Sequence, residues 1–144
     1  MIEEVLYNAA YFDQLLIDLS INVTEMYRDP GFYKALREQV VPILKTYPYL
    51  KIWHAGCASG EEVYSMAIML KEEGLYDRTQ IYATDFNQNI LKKAKDEIYP
   101  ASSLNDFSLN YQAAGEQSSL SDFFTSKYDS VIVDQSLKNE HCFF

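Results

Sequence analysis

The sequence predicts an α/β fold: the first half of a Rossmann-like parallel sheet, with helices on both faces. Three observations carry this. Ile52, Trp53 and Ala55 form a short apolar run that reads as a buried strand. Gly56 and Gly60 then bracket a tight loop, and Glu61 opens a helical pattern that turns Val63, Met66, Ala67 and Leu70 to one side. Strand, glycine loop and helix make the first unit of a nucleotide-type fold, and glycine serves where the backbone must turn sharply or let a ligand come close. The third observation is a second strand, Gln80–Asp85, ending in an acid 25 residues after Gly60. An acid in that place is what such a fold uses to bind the two hydroxyls of a ribose.

The remaining elements follow in chain order. Residues 1–19 read as one amphipathic helix with Val5, Tyr11, Phe12, Leu15, Leu16 and Leu19 on a broad apolar face. Residues 1–20 are therefore expected to be an N-terminal helix, and 21–144 the cofactor domain. Asp29-Pro30 reads as an N-cap and first helical position. The helix carries Phe32, Leu36 and Val40 and is expected to end near Pro42. Tyr47-Pro48-Tyr49 is a turn into the first strand, and Gly74 closes the helix after the glycine loop. Asn87 caps a third helix with Ile90, Leu91, Ala94 and Ile98 on one face, ended by Tyr99-Pro100. Residues 101–117 hold a weak helical pattern (Leu104, Phe107, Tyr111), and Ser118–Phe124 a short helix. Ser130–Asp134 is apolar and β-branched, hence a strand, and a further strand begins at Glu140.

Composition narrows the function classes. The chain has 144 residues, a length suited to one domain, and 48% hydrophobic content can supply a core. A net charge of −9 excludes the usual nucleic-acid binder, which neutralises phosphates with Lys and Arg, and disfavours an anionic membrane surface. There is no leader-like start and no apolar run near ~18 residues, so no membrane insertion is expected. Two cysteines, Cys57 and Cys142, suggest neither a disulfide framework nor a metal site, and a reduced cytoplasmic protein is the expectation.

The loop also narrows the ligand. It is Gly-x-x-x-Gly, not Gly-x-Gly-x-x-Gly, and no Lys follows it, which excludes a P-loop and argues against a dinucleotide. Glu61 stands where a phosphate would meet the helix N-terminus, and like charges repel there. A cofactor with ribose but no phosphate fits, and S-adenosyl-L-methionine, with its cationic amino and sulfonium groups, is the common one.

With these residues in hand, the sequence resembles the CheR-type chemotaxis-receptor glutamate methyltransferases. Asn22-Val-Thr-Glu-Met-Tyr-Arg-Asp-Pro30 is similar to the family's Asn-x-Thr-x-Phe-Phe-Arg-x-Pro segment. Cys57-Ala-Ser-Gly-Glu-Glu-Val-Tyr-Ser65 is similar to its Cys-Ser-Thr-Gly-Glu-Glu-Pro-Tyr-Ser loop. Tyr82-Ala-Thr-Asp85, with Leu91, Ala94 and Ile98-Tyr-Pro100, is similar to its second strand and following helix. The match runs from about Ile21 onward. Val63 departs from the loop's proline, and Met26-Tyr27 from the Phe pair.

The resemblance implies a partial methyltransferase fold that binds S-adenosyl-L-methionine and methylates a receptor glutamate. It implies that Glu61 meets the cofactor's amino group and that Asp85 accepts the ribose hydroxyls. Asn22, Thr24 and Arg28 would fold over the cofactor, with Arg28 meeting its carboxylate. Gly56 and Gly60 serve the turn, and Phe86 either flanks adenine or packs in the core. Bland readings stand beside these: Glu61 as a helix-start acid, Asp85 as an N-cap, Arg28 as a surface residue, His54 and both cysteines as core residues. No catalytic residue is named, because a carboxylate substrate is already ionised at pH 7. The family's fourth strand and its peptide-docking antiparallel subdomain are expected to be missing. Poor turnover follows from that expectation, as does a homodimer formed through the exposed edge of residues 51–56 or the C-terminal strands. The alternatives are a non-catalytic cofactor-binding or interaction module that dimerises, and a fragment that folds only with a partner.

Overall fold

The computed structural model describes residues 2–19, 23–116, 118–137 and 142–143. The first segment is two helices, not one: α1 (Ile2–Tyr7) and α2 (Ala9–Leu19). Asn8 makes the break, since its side-chain oxygen accepts from the Tyr11 amide at 3.2 Å and its carbonyl from the Phe12 amide at 3.0 Å. An asparagine offering its side chain to the next turn is a helix start, which hydrophobic periodicity alone does not reveal.

Asp29 caps α3 (Pro30–Ala35) as the sequence predicts, accepting from the Phe32 amide at 3.1 Å. The helical run ends at Leu44, near Pro42 as the sequence suggests, but it is not uniformly α-helical. A π-helical turn, Leu36–Val40, leads into α4 (Val41–Leu44). Proline removes one donor and crowds the carbonyl four residues back, and a widened turn relieves both.

β1 (Leu50–Ala55) leads through the glycine loop into α5 (Glu61–Glu72), and β2 (Thr79–Thr84) lies parallel to β1 with Leu50 opposite Thr79 and Ala55 opposite Thr84. Helix α5 is the centre of the core, with every residue from Val63 to Leu70 buried. Gly60 has φ +89°, and a Cβ there would lie 3.0 Å from the Cβ of Ala94, so this glycine lets α5 pack against the next helix.

That helix, α6 (Gln88–Asp96), is capped by Asn87, whose side chain accepts from the amides of Asn89 and Ile90. It ends at Glu97, at φ +60°. Ile98 therefore leaves the helical face the sequence suggests for it and opens β3 (Ile98–Pro100). The weak pattern of 101–117 is a helix, α7 (Leu104–Ala113), with Phe107 and Tyr111 buried.

β4 (Phe124–Lys127) follows a short 3₁₀ turn over Leu120–Phe123, and β5 (Ser130–Val133) pairs antiparallel with both β4 and β3. The three form a second sheet in the order β3-β5-β4. This corrects the expectation that an antiparallel subdomain is missing. β5 is the apolar, β-branched run that the sequence shows as a strand, whereas β3 and β4 are only three and four residues long and escape a pattern search. β6 (Cys142–Phe143) pairs parallel with β2, so the parallel sheet runs β1-β2-β6 and β1 is its edge among the described residues.

Candidate functional site

The glycine loop crosses the carboxyl ends of β1 and β2, where ligands collect in open α/β sheets. The amides of Gly56 and Cys57 both donate to the Thr84 carbonyl, at 2.7 and 2.9 Å, which sews the loop to the end of β2. Asp85 comes next. One of its oxygens accepts from the Ala58 amide at 2.9 Å and the other from the Asn87 amide at 2.9 Å. One carboxylate thus fixes the loop and the start of α6 together. Each oxygen keeps a further lone pair for a ligand.

A cavity of about 850 Å³ lies over this arrangement. Gly56, Cys57, Ala58, Asp85 and Phe86 line one side; Thr24, Arg28, Asp29, Phe32 and Tyr33 line the other. Gly56, at φ +76°, has nothing within 4 Å of where a Cβ would stand, so its backbone is open to an approaching ligand. Phe86 is 61% exposed, which removes the core-packing reading of that ring and leaves it as a face against which a flat group can lie.

The second wall is held from below. The Tyr27 amide donates to Ser65 Oγ at 3.0 Å, Ser65 in turn donates to the Glu61 carbonyl at 2.7 Å, and Asn110 donates to the Met26 carbonyl at 3.1 Å. Tyr27 sits at φ +52°, strained for a non-glycine residue, and its ring is clasped by Tyr33 and Tyr111 at centroid distances of 4.6 and 5.3 Å. Arg28 Nη1 donates to the Val23 carbonyl at 2.9 Å, curling the segment around the guanidinium.

Of the residues singled out by sequence, the structure brings Thr24, Arg28, Gly56, Asp85 and Phe86 to one cavity. Asn22 lies outside the described residues. Gly60 and Glu61 are not in this wall. Glu61 is buried, accepts from the Ser59 hydroxyl at 2.6 Å, and lines a smaller recess with Lys93 and Tyr99. Burial raises its pKa, with the Ser59 bond working against that rise. Its neighbour Glu62 faces the large cavity instead, and a bond from His54 lowers its pKa. Adjacent acids at a helix start point about 100° apart, so Glu62 lines the large cavity and Glu61 the smaller recess. Helical periodicity could not choose between them, because α5 is buried nearly all round. Cys57 is buried and free, its thiol pushed up to about 11 by burial and then by Asp85, which makes it an inert wall residue.

The donor set suits a zwitterionic amino acid attached to a nucleoside. Four carboxylates line the cavity with one guanidinium: Glu62 and Asp85 belong to the glycine-loop side, Glu25 and the helix cap Asp29 flank Arg28 in sequence, and Phe86 sets an aromatic face beside Asp85. Nothing in this set resembles a phosphate cradle.

Comparison with known proteins agrees with the geometry. Residues 22–143 match the family model described as CheR methyltransferase, SAM binding domain. The chain is 48% identical over 141 residues to a Pseudomonas putida protein named as a methyltransferase (Cher3), covering 98% of this chain and 52% of that one. It is 34% identical over 97 residues to a chemotaxis protein methyltransferase of Borreliella burgdorferi, covering 60% of this chain and 34% of the relative. It is 33% identical over 103 residues to one of Listeria monocytogenes, covering 70% and 39%. The chain thus spans about half the length of the first relative and little more than a third of the other two. No helix among the described residues is long and apolar enough to cross a membrane. On the family match and the cavity together, this chain belongs to the CheR methyltransferase family as its SAM-binding domain, and its cofactor is S-adenosyl-L-methionine.

Proposed function

We propose that this domain presents S-adenosyl-L-methionine for methyl transfer to glutamate carboxylates of a chemotaxis receptor in the cytoplasm. The observation that supports it most is the lining of the cavity, which brings Arg28, Glu62, Asp85 and Phe86 together. In this reading Asp85 takes the ribose hydroxyls, Glu62 the amino group, Arg28 the carboxylate and Phe86 the adenine face. Asn22 and Thr24 belong to the segment that folds over the cofactor, and Gly56 keeps the approach open. Gly60 and Glu61 act from behind the wall, as packing and as an anchor for Ser59.

When bound, the cofactor supplies a methyl group on a cationic sulfur. The chain's own task is to orient that group and keep water out, since the attacking carboxylate is ionised at neutral pH and needs no base. The antiparallel sheet favours a catalytic role over a purely binding one, because β4 offers an exposed strand edge to a peptide. Transfer of labelled methyl from the cofactor to a receptor peptide tests the reaction, and calorimetric titration with S-adenosylhomocysteine tests the site.

The two adjacent acids should separate in that titration. Glu62→Gln is expected to weaken S-adenosylhomocysteine binding by roughly 10-fold or more, the loss of a charged hydrogen bond. Glu61→Gln should leave it within about twofold. The reverse order would return the amino-group contact to Glu61.

We also propose a homodimer. The parallel sheet exposes Trp53, at 69%, and Tyr82 on one face, and the edge of β1 is unpaired among the described residues. An apolar face beside an open edge invites a second copy. Light scattering should report twice the chain mass at micromolar concentration, and Trp53→Lys should shift it to one. A stable wild-type monomer would sink the dimer.

A further inference from the structure

His54 lies on β1 with its side chain 8% exposed, three residues before the loop motif. Its Nδ1 is 3.5 Å from Oε1 of Glu62, while its Nε2 is buried with no hydrogen-bond partner among the described residues. These two facts assign the proton. A neutral imidazole carries hydrogen on one nitrogen only. Placed on Nε2, that hydrogen would be a buried donor with no acceptor, an expensive arrangement. Placed on Nδ1, it points at the carboxylate of Glu62.

Glu62 needs such a partner. Its side chain is 61% exposed, on the first turn of α5, with three rotatable bonds and open cavity before it. Left alone, a side chain of this kind samples many rotamers and must be immobilised each time a ligand binds. A rigid donor on the neighbouring strand selects the rotamers that keep the carboxylate at the cavity wall. One oxygen is then engaged by the imidazole and the other is left to face the cavity.

We propose that His54 is a positioning residue for the cofactor site: held in β1, it fixes the Glu62 carboxylate in the orientation that receives the cofactor's amino group. The proposal rests on reading the cavity as the S-adenosyl-L-methionine site. His54 touches no ligand itself; it acts through Glu62. The same contact holds Glu62 ionised at lower pH than an ordinary glutamate, which gives a readout in the ligand-free protein.

The test compares wild type, His54→Leu and His54→Asn in the full chain. Leucine keeps the bulk without the donor, and the asparagine amide nitrogen stands where Nδ1 stood. In the ligand-free protein, the side-chain carboxyl carbon of Glu62 is followed by NMR through a pH titration. Its midpoint should rise toward the ordinary glutamate range in His54→Leu and fall back in His54→Asn. In parallel, calorimetry with S-adenosylhomocysteine should show binding weakened roughly 3- to 10-fold in His54→Leu, the cost of immobilising one long side chain. His54→Asn should recover most of it, and thermal midpoints are recorded for all three. A Glu62→Gln background should remove the His54→Leu effect.

Equal loss of affinity in both variants, or a Glu62 titration unmoved by His54→Leu, overturns the positioning role. Should His54→Leu fail to fold, His54→Phe, which keeps a ring but no donor, is set against Glu62→Gln in a double-mutant cycle and decides the same question, with zero coupling overturning it. A wild-type chain that does not bind S-adenosylhomocysteine overturns the cofactor reading and with it the purpose assigned to His54. The NMR titration then shows separately whether the two side chains are coupled.

Discussion

Asp85→Ala is expected to cut S-adenosylhomocysteine affinity by about 1.5–3 kcal/mol, the value of charged hydrogen bonds to the ribose hydroxyls. The same change should lower stability, because this carboxylate already accepts from two backbone amides, those of Ala58 and Asn87. Ala58 stands at φ +48°, a conformation a non-glycine residue keeps only when its surroundings hold it, and the bond to Asp85 is part of that hold. Loss of two such bonds should cost on the order of 1–3 kcal/mol in urea denaturation. Asp85→Asn separates the two roles. It retains one acceptor oxygen, so the loop can stay closed by one bond, but it presents an amide NH2, a donor, where the other oxygen accepted. We expect Asp85→Asn to recover stability more than affinity. Measurable binding that Asp85→Ala leaves unchanged would show that the ribose is held elsewhere.

The parallel half of the fold was legible because its signals are local and chemical. A glycine loop between an apolar strand and a helix, then a strand ending in an acid, has few other solutions. Asp29 and Asn87 behaved as the caps their positions suggested, accepting from amides at the start of α3 and α6. What escaped has physical reasons. The break at Asn8 is a side-chain capping event inside a continuous apolar face. The helix end near Pro42 was legible, but the π turn that precedes it was not. Ile98 fits the face of α6 by spacing, but the positive φ of Glu97 diverts the chain into β3. Of the antiparallel sheet, β5 was legible as an apolar, β-branched run, whereas β3 and β4, of three and four residues, are too short for alternation to register. At the site, the motif gave the loop, Arg28 and Asp85 their places, whereas the choice between Glu61 and Glu62 is one of helix phase. Only the positions of Ser59 and His54, one partner for each acid, make that choice visible.

Beneath the segment that carries Thr24 and Arg28 lies a charged cluster whose pH response should be a large stability effect in this chain. Arg37 pairs with Glu72 at 3.1 Å, with Glu73 at 3.2 Å and with Glu116; Lys45 pairs with Glu73 at 2.7 Å, and the Tyr111 hydroxyl donates to Glu72. Three carboxylates thus meet two cations. Glu116 has a side chain only 1% exposed, and burial, then its shared contact with Glu72, push its pKa up to about 8 against the pull of Arg37. A carboxyl raised from about 4.5 to about 8 on folding binds more protons folded than unfolded throughout that interval. Stability from this group is therefore full below about pH 4.5 and is lost as pH rises through about 8. The upward shift of Glu61 acts in the same direction, while the lowered pKa values of Glu62 and Asp134 act at more acid pH. We expect the unfolding free energy from urea denaturation to fall between pH 5 and pH 9 by an amount on the order of 2–4 kcal/mol. Glu116→Gln, which mimics the protonated acid, should match wild type at pH 5 and exceed it at pH 9. The consequence reaches the site. Burial first, and then Glu116 and Glu72, push the Tyr27 hydroxyl's pKa up, and that hydroxyl is buried without a hydrogen-bond partner among the described residues. Tyr27 is also the residue whose amide pins the Arg28 segment to Ser65. Loss of the shared proton should loosen that segment, so S-adenosylhomocysteine affinity should weaken above pH 8 in wild type and less in Glu116→Gln. Parallel pH profiles for the two proteins, in stability and in binding, would place the titrating group elsewhere.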